Sequence, residues 1–256
     1  MNKKQNTSEL NILEQDYGIR SYEIDAGGRL SIPSIFNLLQ DAASNHALRL
    51  GVSVHQLLEK NYTWVLSRMM LTMDAFPGWQ DPVRVRTWPS GIQTVFALRD
   101  FEIRDSADHI IGSAVSAWIV IDADKRRPVR PTSFAEQINS VEGMRAFDHS
   151  LNKLPRIDAP DVENRFFVRY HDLDINQHVN NVSYIEWLLE SIPGFGRKGL
   201  TLKELELNYL GEAFKGDRII SMCRKDNPSG TRFSHSIVRE EDRLELVRAR
   251  TCWDQT

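Results

Sequence analysis

One structural plan is written twice in this 256-residue chain: a lead-in strand, a helix-forming run, then about four strand-like runs, in the same order in each half. In the first half the helix signal is "SIPSIFNLLQDAASNHALRLG", residues 31–51. Ser31 suits the N-cap, Pro33 the first turn and Gly51 the C-terminal stop. Ile35, Phe36, Leu38, Leu39, Ala42, Ala43, Ala47 and Leu50 recur at helical spacing, a face broad enough to be wrapped by something. Residues 64–76, 81–90, 94–105 and 109–124 then alternate and are rich in β-branched and aromatic types, with turn signals between them.

The second half repeats this. A strand is expected over 165–174 and a helix over 181–191, whose Val182, Ile185, Leu188 and Leu189 share a face and which Pro193 and Gly194 end. Strands follow over 202–214, 216–225, 231–241 and 243–253. "MMLTMDAFPGWQDPVRVRTW" in the first half runs parallel to "LELNYLGEAFKGDRIISMCR" in the second, the mark of a tandem duplication. A helix followed by antiparallel strands predicts an α+β layer, a helix packed on a curled sheet, used twice. The expected divisions are a first unit over 8–130, a proline-bearing connector over 131–163 with a short helix around 133–147, and a second unit over 164–256.

Composition narrows the function classes. The formal net charge is -3, so no global basic field points to nucleic acid. Cys223 and Cys252 make neither a disulfide framework nor a zinc spacing, which suits a reducing, cytoplasmic setting. The first residues lack the apolar core of a signal peptide, and no apolar run approaches the roughly 18–20 residues that span a bilayer.

The chemistry concentrates in "HDLDINQHVNNVSYIEWLLES", residues 171–191, where two Asp, three Asn and two His crowd the threshold of an apolar helix. Asn180 and Asn181 lie where the N-cap belongs, so capping accounts for one or two of them. Asp174, Asn176 and His178 follow at alternate positions, a spacing that aims all three to one side of extended or loop backbone. Residue types alone leave two readings: a hydrogen-bonded polar turn with a structural His178, or an acid/base pair with an amide to steady an oxyanion.

This stretch closely resembles the signature of the acyl-acyl carrier protein (acyl-ACP) thioesterases, as do "NYTWVLSRMML", "TWPSG" and "SAWIVIDADKRRPVR" in the first half, and the resemblance covers roughly residues 8–253. It implies two tandem hotdog folds, each a long helix wrapped by an antiparallel sheet. It also implies hydrolysis of fatty acyl-ACP to free fatty acid, terminating fatty acid synthesis, with no cofactor or metal. By the same resemblance the catalytic set falls on Asp174, Asn176, His178 and, in "LNYLGEAFKGD", Glu212; Asp172 is a nearby rival to Asp174. The residue after Glu212 is Ala213 where the family pattern has Cys, which argues against a thiol nucleophile here.

The resemblance further implies that the first hotdog holds the acyl chain, on the 33–50 helix and the 64–73 strand. Acyl carrier proteins are acidic, so the docking surface should be basic. "DKRRPVR" supplies Lys125, Arg126, Arg127 and Arg130, with Arg197 and Lys198 as weaker candidates. Rival readings are a hotdog thioesterase acting on acyl-CoA, a non-catalytic acyl-thioester sensor and, third, a hotdog dehydratase. The tandem halves allow either a monomer or a homodimer.

Overall fold

The structure is a computed structural model, described here for residues 11–131, 140–141, 143–146, 150–196 and 199–255. The short helix expected around 133–147 and the candidates Arg197 and Lys198 fall largely or wholly outside those residues. The first half contains β1 (Leu13–Gly18), α1 (Ile32–Arg49), α2 (Val54–Leu58), β2 (Tyr62–Met73), β3 (Pro82–Gln93), β4 (Phe96–Arg104), β5 (Ile110–Asp122) and β6 (Arg127–Val129). The second contains β7 (Val162–Phe167), a 3-10 turn (Tyr170–Asp172), α3 (Asn181–Leu189), β8 (Leu200–Tyr209), β9 (Arg218–Lys225), β10 (Arg232–Arg239) and β11 (Glu245–Gln255).

The strands form one continuous sheet ordered β1-β3-β4-β5-β2-β8-β11-β10-β9-β7, with β6 pairing β5. Counted outward from the central β2–β8 pair, the two sides have the same plan: 2-5-4-3-1 against 8-11-10-9-7. Every pairing is antiparallel, and the seam runs from Arg68 opposite Asn208 to Thr72 opposite Glu204. This is the helix-on-antiparallel-sheet layer, used twice, that the repeated sequence plan predicts, and it agrees with the tandem hotdogs that the resemblance implies.

Local chemistry explains the helices. Ser31 caps α1 by accepting the Ser34 N–H, Pro33 occupies its first turn, and Gly51 beyond its end takes φ 74°. Most of the predicted apolar face is buried, with Ile35, Leu39 and Ala42 at 1% exposure or less, while Ala47 and Leu50 at its end are half-buried. One hydrophobic core runs through both halves and holds α1 and α3 together with the inner faces of both half-sheets. The connector is pinned on the seam: Arg68 donates to the Leu151 carbonyl (2.5 Å), Asn208 accepts from the Leu154 N–H (2.8 Å), and Arg248 donates to the Leu154 carbonyl (2.8 Å).

One expectation shifts. The strand expected over 165–174 ends at Phe167, because Asp172 folds back on Arg169: its carboxylate accepts from the Arg169 N–H at 2.6 Å and from the guanidinium at 2.8 Å. The first-half lead-in strand that the shared plan calls for is β1, although "LEQDYG" carries too little apolar alternation to give its bounds.

Candidate active site

The 3-10 turn hands the chain to a tight loop that ends at the N-cap of α3. Leu173 and Val179 bridge across this loop, the Asp174 N–H donates to the His178 carbonyl (2.8 Å), and Gln177 at its tip takes φ 64°. The Asp174 carboxylate accepts from the Asn176 N–H at 2.8 Å and the His178 N–H at 3.2 Å. Asp174 therefore builds the polar turn that presents His178. Asn176 stands exposed on the same loop. Asn180 then caps α3, its side chain accepting from the Val182 N–H at 3.0 Å while its own N–H donates to the Asp172 carbonyl at 2.8 Å. Asp172, the rival carboxylate, is 2% exposed and held by Arg169, which removes it from solvent and from the loop's open side.

Glu212 comes from the segment after β8. That segment is stitched to the loop by two main-chain groups of Ala213: its carbonyl accepts from Val179 (3.0 Å) and its N–H donates to the Tyr184 hydroxyl (3.0 Å). The stitching sets Glu212 opposite His178, with Oε1 3.4 Å from Nδ1 and both side chains roughly a quarter exposed, at 29% and 26%. The ring of Phe214 meets the His178 imidazole edge-on at 5.2 Å. Ala213 itself is fully buried in the core, so the position beside Glu212 faces away from the imidazole. The nearest candidate thiol in sequence, Cys223, is 1% exposed on β9, and burial pushes its pKa up to about 12. Neither position can supply a thiolate at neutral pH.

A contact absent from the sequence reading completes the group. The turn between β5 and β6 carries Arg126 across from the first half, and its Nη2 donates to Glu212 Oε2. The turn is built for this: Asp122 accepts the N–H groups of Asp124 (3.2 Å) and Lys125 (2.9 Å), and Arg126 takes φ 53° with its N–H on the Asp122 carbonyl (2.9 Å). These N–H groups, that of Lys125 foremost, hold the Asp122 carboxyl below the usual carboxylate range against the opposing effect of desolvation. Of the four basic candidates, Lys125 lies 3.6 Å from Asp122, Arg126 is committed to Glu212, and Arg127 and Arg130 point to solvent. Glu212 thus has one oxygen toward an imidazole and the other on a guanidinium.

An apolar cavity opens beside the N-terminus of α3. Asn181, Val182 and Tyr209 line its second-half side, Phe36, Leu39 and Ala43 of α1 one wall, and Leu66, Met69, Phe101 and Trp118 the sheet wall within the first half. Tyr209 donates from its hydroxyl to the Asn181 carbonyl at 3.2 Å, tying one cavity wall to the start of α3. Among the described residues no group of three or more His, Cys, Asp or Glu could hold a metal ion, and no helix is long and apolar enough to cross a membrane.

Comparison with known proteins gives consistent findings. Residues 11–136 match the acyl-ACP thioesterase N-terminal domain and residues 157–255 the acyl-ACP thioesterase C-terminal domain. A palmitoyl-acyl carrier protein thioesterase of Cuphea hookeriana is 32% identical, over 94% of this chain and 62% of that protein. An oleoyl-acyl carrier protein thioesterase of Arabidopsis thaliana is 31% identical, over 94% and 76% respectively. The chain spans about three fifths of the length of the first of these relatives. Two solved structures share the fold. An acyl-ACP thioesterase from Bacteroides thetaiotaomicron has TM-score 0.85 and 24% identity, covering 98% of this chain and 100% of that one. A 12:0-ACP thioesterase from Umbellularia californica has TM-score 0.86 and 24% identity, covering 96% and 98%.

Proposed function

Because the chain belongs to the acyl-ACP thioesterase family, we propose that it hydrolyses the thioester of fatty acyl-ACP, releasing a free fatty acid and the carrier's thiol. The observation that carries this reading is the Glu212–His178 pair, 3.4 Å apart and assembled from two separate segments, one of which runs on into the start of α3, where Asn181 and Val182 line an apolar cavity. Water is the attacking group. Glu212 accepts its proton as oxygen adds to the thioester carbonyl carbon, and collapse of the tetrahedral intermediate breaks the C–S bond. The proton returns to the departing thiolate through His178. A distance of 3.4 Å in a substrate-free site is compatible with this role, since such contacts tighten in the complex.

Asp174 holds the loop, and Asn176 turns its amide to the carbonyl oxygen. Of the three N–H groups that open α3, those of Val182 and Ser183 already donate to Asn180, so the Asn181 N–H is the backbone candidate for the oxyanion. The acyl chain enters the cavity under α1 in the first half. Release of fatty acid from panels of acyl-ACP and acyl-CoA thioesters, for the wild type beside Glu212→Ala, tests the reading. Preference for acyl-ACP with at least about a 10²-fold loss of turnover in the variant supports it. Equal use of acyl-CoA would move the substrate to the free coenzyme, and binding without hydrolysis would make the chain a sensor.

A further inference from the structure

Large apolar side chains left in water gather around this site. Of twelve such residues among those described, five come from the two short stretches that flank His178 and Glu212: Phe167, Tyr170, Ile175, Leu210 and Phe214. Ile175 and Tyr170 are 78% and 70% exposed, so neither serves the core. Main-chain hydrogen bonds make the two stretches one surface: Val168 N–H to the Asp217 carbonyl (2.9 Å), Gly216 N–H to the Val168 carbonyl (3.1 Å), and Val179 N–H to the Ala213 carbonyl (3.0 Å). Clustering of this kind around a mouth marks an interaction surface rather than the scattered apolar exposure of an ordinary protein.

Exposed cations stand on the same surface. Lys215 places its ammonium 5.8 Å above the Tyr170 ring, Arg169 is 67% exposed, and Arg218 stands exposed opposite Phe167 in the β7–β9 pair. The carboxylates are already engaged: Glu212 by Arg126, Asp172 by Arg169, Asp217 by Arg239, and Asp174 by the loop's own N–H groups. Glu186 on α3 has its carboxyl raised by burial and by Asp172.

We propose that this collar is the seat of the carrier protein, its apolar centre at Tyr170, Ile175 and Phe214 and its basic rim at Lys215, Arg169 and Arg218. The proposal rests on the hydrolase reading above and names where that reading's partner binds. A thioester on a flexible arm must pass between His178 and Glu212, so the protein bearing the arm sits on whatever encircles them. An acidic partner with an apolar patch is complementary to the collar in both respects.

The test is a Tyr170→Ser/Lys215→Glu double variant. Both side chains are exposed and neither touches the reacting groups. Wild type and variant are compared on acyl-ACP and on the same acyl group carried by free pantetheine. The expected result is a rise of about tenfold or more in KM for acyl-ACP, with pantetheine-thioester turnover unchanged. Unchanged KM for acyl-ACP, or equal losses on both substrates, overturns the collar. Should the wild type hydrolyse neither substrate, the hydrolase reading fails on its own. The collar is then judged by fluorescence anisotropy with holo-ACP, and equal affinity for wild type and variant overturns it.

Discussion

His178 is oriented by three residues from two parts of the chain: Asp174 through the loop backbone, and Phe214 through ring contact and Glu212 across the site, both from the segment after β8. The two carboxylates are separable by substitution. In Asp174→Asn a side-chain oxygen still accepts the two loop N–H groups, so turnover stays within about tenfold of wild type, whereas Asp174→Ala loses about 10²-fold or more. Equal, severe losses in both would make Asp174 the reacting carboxylate instead. Arg126→Ala should lower kcat on acyl-ACP and acyl-pantetheine alike, by about tenfold, because the contact it removes is to Glu212 and not to the carrier. A rise in kcat would show that the guanidinium restrains Glu212 in the resting state. The alternating Asp, Asn and His were legible from spacing as a shared-face cluster, which left a polar turn and a catalytic set open; the catalytic reading came from resemblance. Glu212 was legible only through resemblance, since a Glu beside a Gly at a strand end carries no local signal. Arg126 lies 86 residues away from Glu212, and its approach depends on a seam that no local pattern reveals.

The long helices and most strands follow from period and caps, which is why α1 begins and ends where Ser31 and Gly51 place it. Elements shaped by side chain–backbone exchange were less legible: the Arg169–Asp172 closure ends β7 early although alternation continues in the sequence. At α3, Asn180→Ala should cost about 1 kcal/mol in urea unfolding while Asn180→Asp retains most of the stability, the Val182 N–H keeping an acceptor only in the second. On β10, burial pushes the His235 pKa down to about 3, with Asp226 opposing weakly, and the imidazole is held by Thr251 at 3.0 Å. An unfolded histidine titrates near ~6.5, so the unfolded chain takes up a proton first as pH falls. Stability therefore drops below that pH and continues to drop toward the folded value. From neutrality to about pH 5 the loss is on the order of 2 kcal/mol, and His235→Gln should remove most of it in urea midpoints measured at the two pH values.

Among the described residues the strands form one sheet and the main hydrophobic core runs through both halves, so the molecule should unfold as one unit. Far-UV circular dichroism and tryptophan fluorescence, which reports Trp88 in the first half and Trp187 and Trp253 in the second, are expected to give coincident transitions. Two separated transitions would mean that the β2–β8 seam transmits little. Expressed alone, either half would present β2 or β8 as a long unpaired edge, and is expected to self-associate in size-exclusion chromatography. The duplication was legible as a repeated order of runs; the mirrored strand order, and hence which copies meet, was not. The β5–β6 turn that reaches over this seam has a further consequence for recombination among relatives. A chimera that joins this second half to another protein's first half inherits the acid but imports its guanidinium partner from the donor. Half-swaps between relatives will therefore work in pairs: those whose donor turn ends in an arginine at this place bring a working partner, and the rest need that single residue grafted back.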